Sequence, residues 1–409
     1  MKKIAIFGST GSIGVQAVSV IEKYPERFKV SVLTCGMNLE LLREQIIRLR
    51  PAIAVIGGAA PSAMAGAGGV STLRGAGDSS ALSSVNASGV AALVREFPEV
   101  RFLTGAAGLA EAAEHGDYDL MLNALSGAAG LIPTWNAIVT NRDIAIANKE
   151  TLVAGGKQVM AEAARRKLRI LPVDSEHSAI FQALQGGNGN KPKRILLTAS
   201  GGPFRGFSKA MLRNATLEQA LAHPKWNMGS KITVDSATMM NKGLEIIEAG
   251  WLFDLPSEKI EVLVHPQCIV HSMVEFGDAS VIAQMGAPDM KTPIAYALAY
   301  PERIDAGAQA LDFTALSGLT FEHVDDNVFT CLRMAREAMT DGGSRPITLN
   351  AANEVLVGLF LEKRIGFMDI QENLERLMQS HISVNVNDVY DVMKLDGEVR
   401  AKLKEMLCL

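Results

Sequence analysis

A glycine turn set directly behind the first apolar run constrains this chain more than any other feature. Lys3-Ile4-Ala5-Ile6-Phe7 leads into Gly8-Ser9-Thr10-Gly11-Ser12-Ile13-Gly14, and helix-like spacing follows through about Glu22. A strand that turns on glycine into a helix can bring its backbone close to a pyrophosphate and set the charge on the helix N-terminus. The spacing is G-x-x-G-x-x-G and not G-x-G-x-x-G, so it permits a nucleotide without requiring one. Further apolar runs at 28–34, 52–56, 101–103, 119–122 and 143–147 alternate with helix-like stretches. That order predicts the α/β class, with an N-terminal Rossmann-like, doubly wound parallel sheet.

The second run ends at Cys35-Gly36-Met37-Asn38, with no acid to hold a ribose 2′-hydroxyl. The gap favours NADPH over NADH. Met37 stands where a cation would be most useful, and Arg43 is the nearest basic residue downstream. Two more strand ends carry polar turns. Ser126-Gly127-Ala128-Ala129-Gly130 is a second glycine turn, and Ala147-Asn148-Lys149-Glu150 either starts a helix or offers an amide and a cation to ligands.

Size and charge narrow the class. The 409 residues allow two or three domains, and a net charge of −4 gives no basic face for nucleic acid. No apolar run approaches the ~20 residues of a membrane span. Cys35, Cys268, Cys331 and Cys408 show no CxxC pair or disulfide spacing. A soluble cytoplasmic protein is expected, with no nucleic-acid or membrane partner. The Ala/Gly/Ser-rich stretch 59–89 reads as a loop with one helix and suggests no function.

The middle of the chain carries acids. The run 169–173 reads as a strand ending in Asp174-Ser175-Glu176-His177, which would put Asp174 and Glu176 on one face, either around a cation or as solvated acids. Ser200-Gly201-Gly202 after the 194–198 strand is a tight turn or an anion cradle. The span 205–231 is poorly periodic and includes His223 and Trp226, the pattern of a lid. A helix from Met240 would project Asn241, Lys242 and Glu245 from neighbouring rows. With Ser236, the Asn-Lys pair can clamp a phosphate while Glu245 completes a carboxylate site for Mg²⁺ or Mn²⁺; a Lys–Glu pair on a solvated face is the alternative.

These segments resemble the 1-deoxy-D-xylulose 5-phosphate reductoisomerase family. The matching stretches are GSTGSIG from Gly8, ANKE from Ala147, PVDSEH from Pro172, SGGPF from Ser200, HPKWNMG from His223 and DSATMMNKGLE from Asp235. HPQ from His265, PDM from Pro288 and NAANE from Asn350 continue the series, in order, over nearly the whole chain.

The resemblance implies NADPH-dependent, metal-dependent conversion of 1-deoxy-D-xylulose 5-phosphate to 2-C-methyl-D-erythritol 4-phosphate in the non-mevalonate isoprenoid precursor pathway. It implies that Asp174, Glu176 and Glu245 hold the divalent metal. Lys149 would sit at the reacting hydroxyls, and with the three carboxylates it makes up the catalytic set. Ser175, Glu176, Ser200, His223, Trp226, Ser236, Asn241, Lys242 and Glu245 would contact substrate. Thr10, Gly11, Ser12, Ile13, Gly36, Met37, Asn38, Asn148, Glu150 and Gly229 would hold the cofactor. A homodimer is implied as well.

Strand-like runs at 261–264, 269–276 and 279–284 predict a second sheet, with His265 and His271 as hydrogen-bonded core and not as metal ligands. From about Asn327 the pattern turns helical, and no chemistry is evident in it. The expected division is 1–168 for the nucleotide, 169–310 for catalysis and dimerisation, and 311–409 for a linker and helical domain. A different NAD(P)-dependent dehydrogenase explains the first half equally well but gives the three carboxylates no joint role.

Overall fold

The computed structural model describes residues 1–57 and 87–408. Most of the Ala/Gly/Ser-rich stretch therefore lies outside the described residues. The described chain forms two compact units. Unit 1 comprises Met1–Thr151, Val159–Val173 and Met290–Gly307; unit 2 comprises Leu152–Gln158, Asp174–Asp289 and Ala308–Leu409.

Unit 1 alternates as the sequence predicts. Its first half runs β1 (Lys2–Phe7), α1 (Ser12–Glu22), β2 (Phe28–Cys35), α2 (Leu39–Leu49), β3 (Ile53–Ile56), α3 (Ala87–Glu96) and β4 (Arg101–Thr104). Then follow α4 (Gly105–His115), β5 (Leu120–Asn123), α5 (Leu131–Val139), β6 (Asp143–Ile146), α6 (Lys149–Arg166) and β7 (Ile170–Pro172). The seven strands pair in parallel in the order β4-β3-β2-β1-β5-β6-β7. Helices cover parallel sheets on both faces, so the strands need near-continuous apolar runs. Ile4, Ala5, Ile6 and Phe7 are accordingly all buried, as are Leu120, Met121 and Leu122. The strand order reverses between β1 and β5, the crevice where such sheets bind ligands.

Unit 2 carries α7 (Ser175–Gln185), β8 (Arg194–Ala199), α8 (Lys209–Leu212), α9 (Leu217–Leu221), α10 (Ser230–Ala237), α11 (Met240–Phe253), β9 (Ile260–Val264), β10 (Val270–Glu275) and β11 (Val281–Met285). After α12 (Lys291–Ala299), which packs on α1 in unit 1, come β12 (Glu322–His323), α13 (Thr330–Asp341), α14 (Arg345–Leu361), α15 (Phe367–Ser380) and α16 (Val389–Met406). Its mixed sheet has the order β11-β10-β8-β9-β12, with only β8 and β9 parallel. One apolar core joins this sheet to α11 and α13–α15.

Two expectations are corrected. β7 stops at Pro172 and α7 opens at Ser175, so Asp174 is the helix N-cap position and Glu176 lies in the first turn. The two acids are not alternate residues of a strand. Acidic residues favour a helix N-terminus, where the peptide dipoles are positive, and Pro172 has no N–H to extend the ladder. The span 205–231 is also not wholly irregular, since it contains α8 and α9. Both are too short for periodicity to reveal.

Candidate active site

At the switch point of unit 1 the glycine turn is tied down on two sides. Gly8 N–H donates to Thr34 Oγ1 at 2.8 Å, and Ser9 N–H donates to the Thr34 carbonyl at 2.8 Å. The Ser9 hydroxyl donates to Gln45 Oε1 at 2.7 Å, and Gln45 returns a bond to the Ser9 carbonyl. Gly8 has φ +92°, and a Cβ there would lie 2.4 Å from the Ala124 carbonyl oxygen, so only glycine fits where the β1 and β5 turns meet. Thr10, Gly11, Ser12 and Ile13 form the outer part of this turn and the start of α1, with Gly11 and Ser12 exposed.

Gly36 and Met37 are exposed at the end of β2, and the Asn38 side chain caps α2 by accepting from Leu41 N–H at 3.1 Å. Arg43, the nearest basic residue downstream, is paired through its Nε with Glu96 Oε2 at 2.8 Å. Asn148 is the N-cap of α6: its oxygen accepts from Thr151 N–H, and its amide donates to the Leu125 and Gly127 carbonyls and to Glu150. It thereby fixes the second glycine turn. Lys149 and Glu150 are both buried beside it.

Unit 2 holds the acids. Asp174, His177 and Glu245 offer ligand atoms that all lie within 4.8 Å of one another. His177 donates through Nε2 to the Glu245 main-chain carbonyl at 2.9 Å, and its Nδ1 is 3.4 Å from Glu248 Oε2. Sequence reasoning passed over His177 and Glu248. The usable signal was spacing, since His177 follows Asp174 by three residues and Glu248 follows Glu245 by three, each on one helix.

Glu176 turns instead to Ser175 Oγ at 2.6 Å and to Lys242 Nζ at 2.9 Å. Lys242 also contacts Glu245, and Asn241 Nδ2 donates to Glu245 Oε1 at 2.5 Å. Burial alone would lower the Lys242 pKa, but Glu176 and Glu245 more than offset that and hold it above the usual lysine value. The Lys–Glu pair is therefore not a solvated surface pair. Glu176 and Glu245 set two carboxylates against the one ammonium of Lys242, and Asp174 adds a third carboxylate beside Glu245. A hard divalent cation suits that donor set.

In the same unit, β8 ends in the Ser200 turn. Gly201 and Gly202 both have positive φ, and a Cβ on Gly202 would sit 2.7 Å from the Ser236 carbonyl oxygen, so the turn lies directly against α10. Ser200 Oγ is 2.9 Å from His223 Nε2 and accepts from Gly202 N–H at 3.1 Å. His223 Nδ1 accepts from Lys225 and Trp226 N–H, which leaves its proton on Nε2 facing Ser200. Burial lowers the His223 pKa. Trp226 is half-buried, and Gly229 is the exposed N-cap residue of α10. His265 behaves as hydrogen-bonded core: Nδ1 donates to the Thr320 carbonyl at 2.9 Å and Nε2 accepts from Ile269 and Val270 N–H.

Comparison with known proteins decides the family. The 1-deoxy-D-xylulose 5-phosphate reductoisomerase model matches residues 4–68 and 78–156, and that enzyme's C-terminal domain model matches 170–253. A DXP reductoisomerase C-terminal domain model matches 285–402. The chain belongs to the 1-deoxy-D-xylulose 5-phosphate reductoisomerase family. The reductoisomerase of Geotalea daltonii is 46% identical over 407 residues, covering 100% of this chain and 99% of the relative. That of Laribacter hongkongensis is 46% identical over 413 residues, with the same coverage.

Among solved structures, the reductoisomerase from Zymomonas mobilis in complex with NADPH superposes with TM-score 0.86 at 38% identity, covering 99% of this chain and 98% of that one. A DOX-P reductoisomerase in complex with NADPH, fosmidomycin and magnesium gives TM-score 0.86 at 35% identity, with the same coverage.

Proposed function

We propose that the protein rearranges 1-deoxy-D-xylulose 5-phosphate and reduces the product with NADPH to 2-C-methyl-D-erythritol 4-phosphate, a metal-dependent step of the non-mevalonate isoprenoid precursor pathway. The observation that carries this reading is the cluster of Asp174, His177 and Glu245, flanked by the Glu176–Lys242 pair, in a chain of the reductoisomerase family. Asp174, Glu176 and Glu245 would hold Mg²⁺ or Mn²⁺, which when bound polarises the substrate carbonyl as a Lewis acid. NADPH supplies the hydride.

The chain's own groups bind and orient. Lys149 favours negative charge developing at the reacting hydroxyls. Ser175 joins Glu176 in contacting the substrate. Ser200, Ser236, Asn241 and Lys242 grip the phosphate, His223 closes over it, and Trp226 excludes water from the carbon chain. Thr10, Gly11, Ser12 and Ile13 receive the pyrophosphate on the N-terminus of α1. Gly36, Met37 and Asn38 line the adenosine end, and Asn148, Glu150 and Gly229 complete the cofactor site.

The functional division is 1–168 for the nucleotide, 169–310 for metal and substrate and 311–409 for helical support, with α12 lent to the nucleotide unit. A homodimer is supported by the edge strand β11, where Val281 is exposed, and by exposed Phe313, Leu319 and Phe321. A cytoplasmic location is supported by four unpaired thiols. No helix among the described residues is long and apolar enough to cross a membrane.

The test is to mix protein, NADPH, Mn²⁺ and 1-deoxy-D-xylulose 5-phosphate and follow loss of reduced-nicotinamide absorbance. Turnover that disappears in chelator and returns with Mn²⁺ or Mg²⁺ is expected. Folded protein that gives no turnover, or full turnover in chelator, would sink the reading.

A further inference from the structure

The NAANE stretch, Asn350 to Glu354, takes no part in the proposed chemistry, yet it carries two buried amides on α14. Asn353 is fully buried and donates through Nδ2 to Asp235 Oδ1 at 2.7 Å. The other Asp235 oxygen faces Lys231 Nζ at 2.9 Å, one helical turn earlier on α10. The Asn353 oxygen has no hydrogen-bond partner among the described residues. A leucine would fill the same volume without burying an unsatisfied carbonyl, so packing alone does not explain an amide here. Its bond to Asp235 does.

Asp235 precedes Ser236 on α10, a helix of 8 residues. So short a helix has little stability of its own, and its rotation about its axis is set by tertiary contacts. There is little slack on the far side either, because the Gly202 turn lies against the Ser236 carbonyl. Behind Asn353 the support continues. Arg400 of α16 bonds to Glu354 at 2.6 Å and to Asp396 at 2.6 Å, and Asn350 donates to Glu354 at 3.0 Å.

We infer that Asn353 is a positioning residue for substrate phosphate: through Asp235 it fixes the rotation of α10 and so the distance between Ser236 and the Ser200 turn. The C-terminal helices then take part in substrate affinity without touching substrate. The inference rests on the phosphate role proposed for Ser236.

The experiment compares full-length wild type, Ser236→Ala and Asn353→Leu in the NADPH-oxidation assay, and measures inhibition by inorganic phosphate. Asn353→Leu should raise the KM for 1-deoxy-D-xylulose 5-phosphate about ten-fold and weaken phosphate inhibition in parallel, with kcat and the KM for NADPH within about two-fold of wild type. A merely structural role would lower the active fraction, hence kcat, and leave the substrate KM alone; that result overturns the inference. If Asn353→Leu does not fold, Asn353→Ser, whose hydroxyl is too short to reach Asp235, is read by the same criteria. A raised KM in Ser236→Ala without one in the Asn353 variant rejects this inference only. An unchanged KM in Ser236→Ala rejects the phosphate reading and this inference with it.

Discussion

Lys242 Nζ lies 2.9 Å from Glu176 Oε1, joining two residues 66 positions apart in a site where Lys242 is only 4% exposed. Removing one partner of a buried ion pair costs on the order of 3–5 kcal/mol, because the other charge is left uncompensated. Lys242→Met should therefore lower the melting temperature of metal-free protein and cut kcat/KM by about 100-fold or more. Added Mn²⁺ should restore more thermal stability to the variant than to wild type, since Glu176 and Glu245 then have one cation fewer. Equal Mn²⁺ shifts in a thermal melt would contradict this.

Gly14 faces the backbone of the first turn. A Cβ there would lie 2.2 Å from the Gly8 carbonyl oxygen and 2.5 Å from Ser9 Cα, and neither atom can swing aside. Overpacking of this kind costs about 1–3 kcal/mol. Gly14→Ala should shift the urea midpoint downward and weaken NADPH binding, read by quenching of intrinsic fluorescence. Wild-type values for both would mean that α1 has room to move.

Met37, proposed above to line the adenosine end of the cofactor, is 61% exposed, while Arg43 is already paired with Glu96. The Met37 side chain itself carries no charge to repel or attract a 2′-phosphate. Met37→Arg should increase the ratio of kcat/KM for NADPH over NADH by about ten-fold, chiefly through a lower KM for NADPH. A fall in that ratio would move the 2′-phosphate away from this turn.

Acid should loosen the segment that carries His223. Its folded pKa is lowered from 6.5 by burial, and protonation would place a proton on Nδ1, against the Lys225 and Trp226 N–H donors. The unfolded or open segment binds more protons than the closed one below about pH 6.5, so the closed form loses stability as pH falls through the folded pKa. The KM for 1-deoxy-D-xylulose 5-phosphate should rise over that interval, and cleavage by trypsin after Lys225 should quicken. His223→Gln should remove both dependences; if it leaves them intact, another group is responsible.

How far the sequence could be read follows from how local each signal is. The parallel sheet was legible because strands covered on both faces must be apolar throughout, as Ile4 to Phe7 are. The Ser200 turn was legible from its glycines. At Asp174, however, a run of three apolar residues and a proline reads equally as the end of a strand and the approach to a helix, and the wrong period put Asp174 and Glu176 on one face. The neighbours of each acid were less accessible still. That Lys242 meets Glu176, or that His177 meets Glu248, depends on how α7 packs against α11, and no periodicity encodes such a pairing.

The three-part make-up of unit 1 bears on the order in which a ribosome can finish it. Its helix α1 is covered by α12, and Lys23 and Arg27 pair with Asp305 and Glu302. Those partners are synthesised only after β8 through β11 of the other unit. A nascent chain can lay down the seven parallel strands early, but one flank of α1 stays uncovered until residues 290–307 arrive. Growing chains halted before that point should be the ones that need a chaperone.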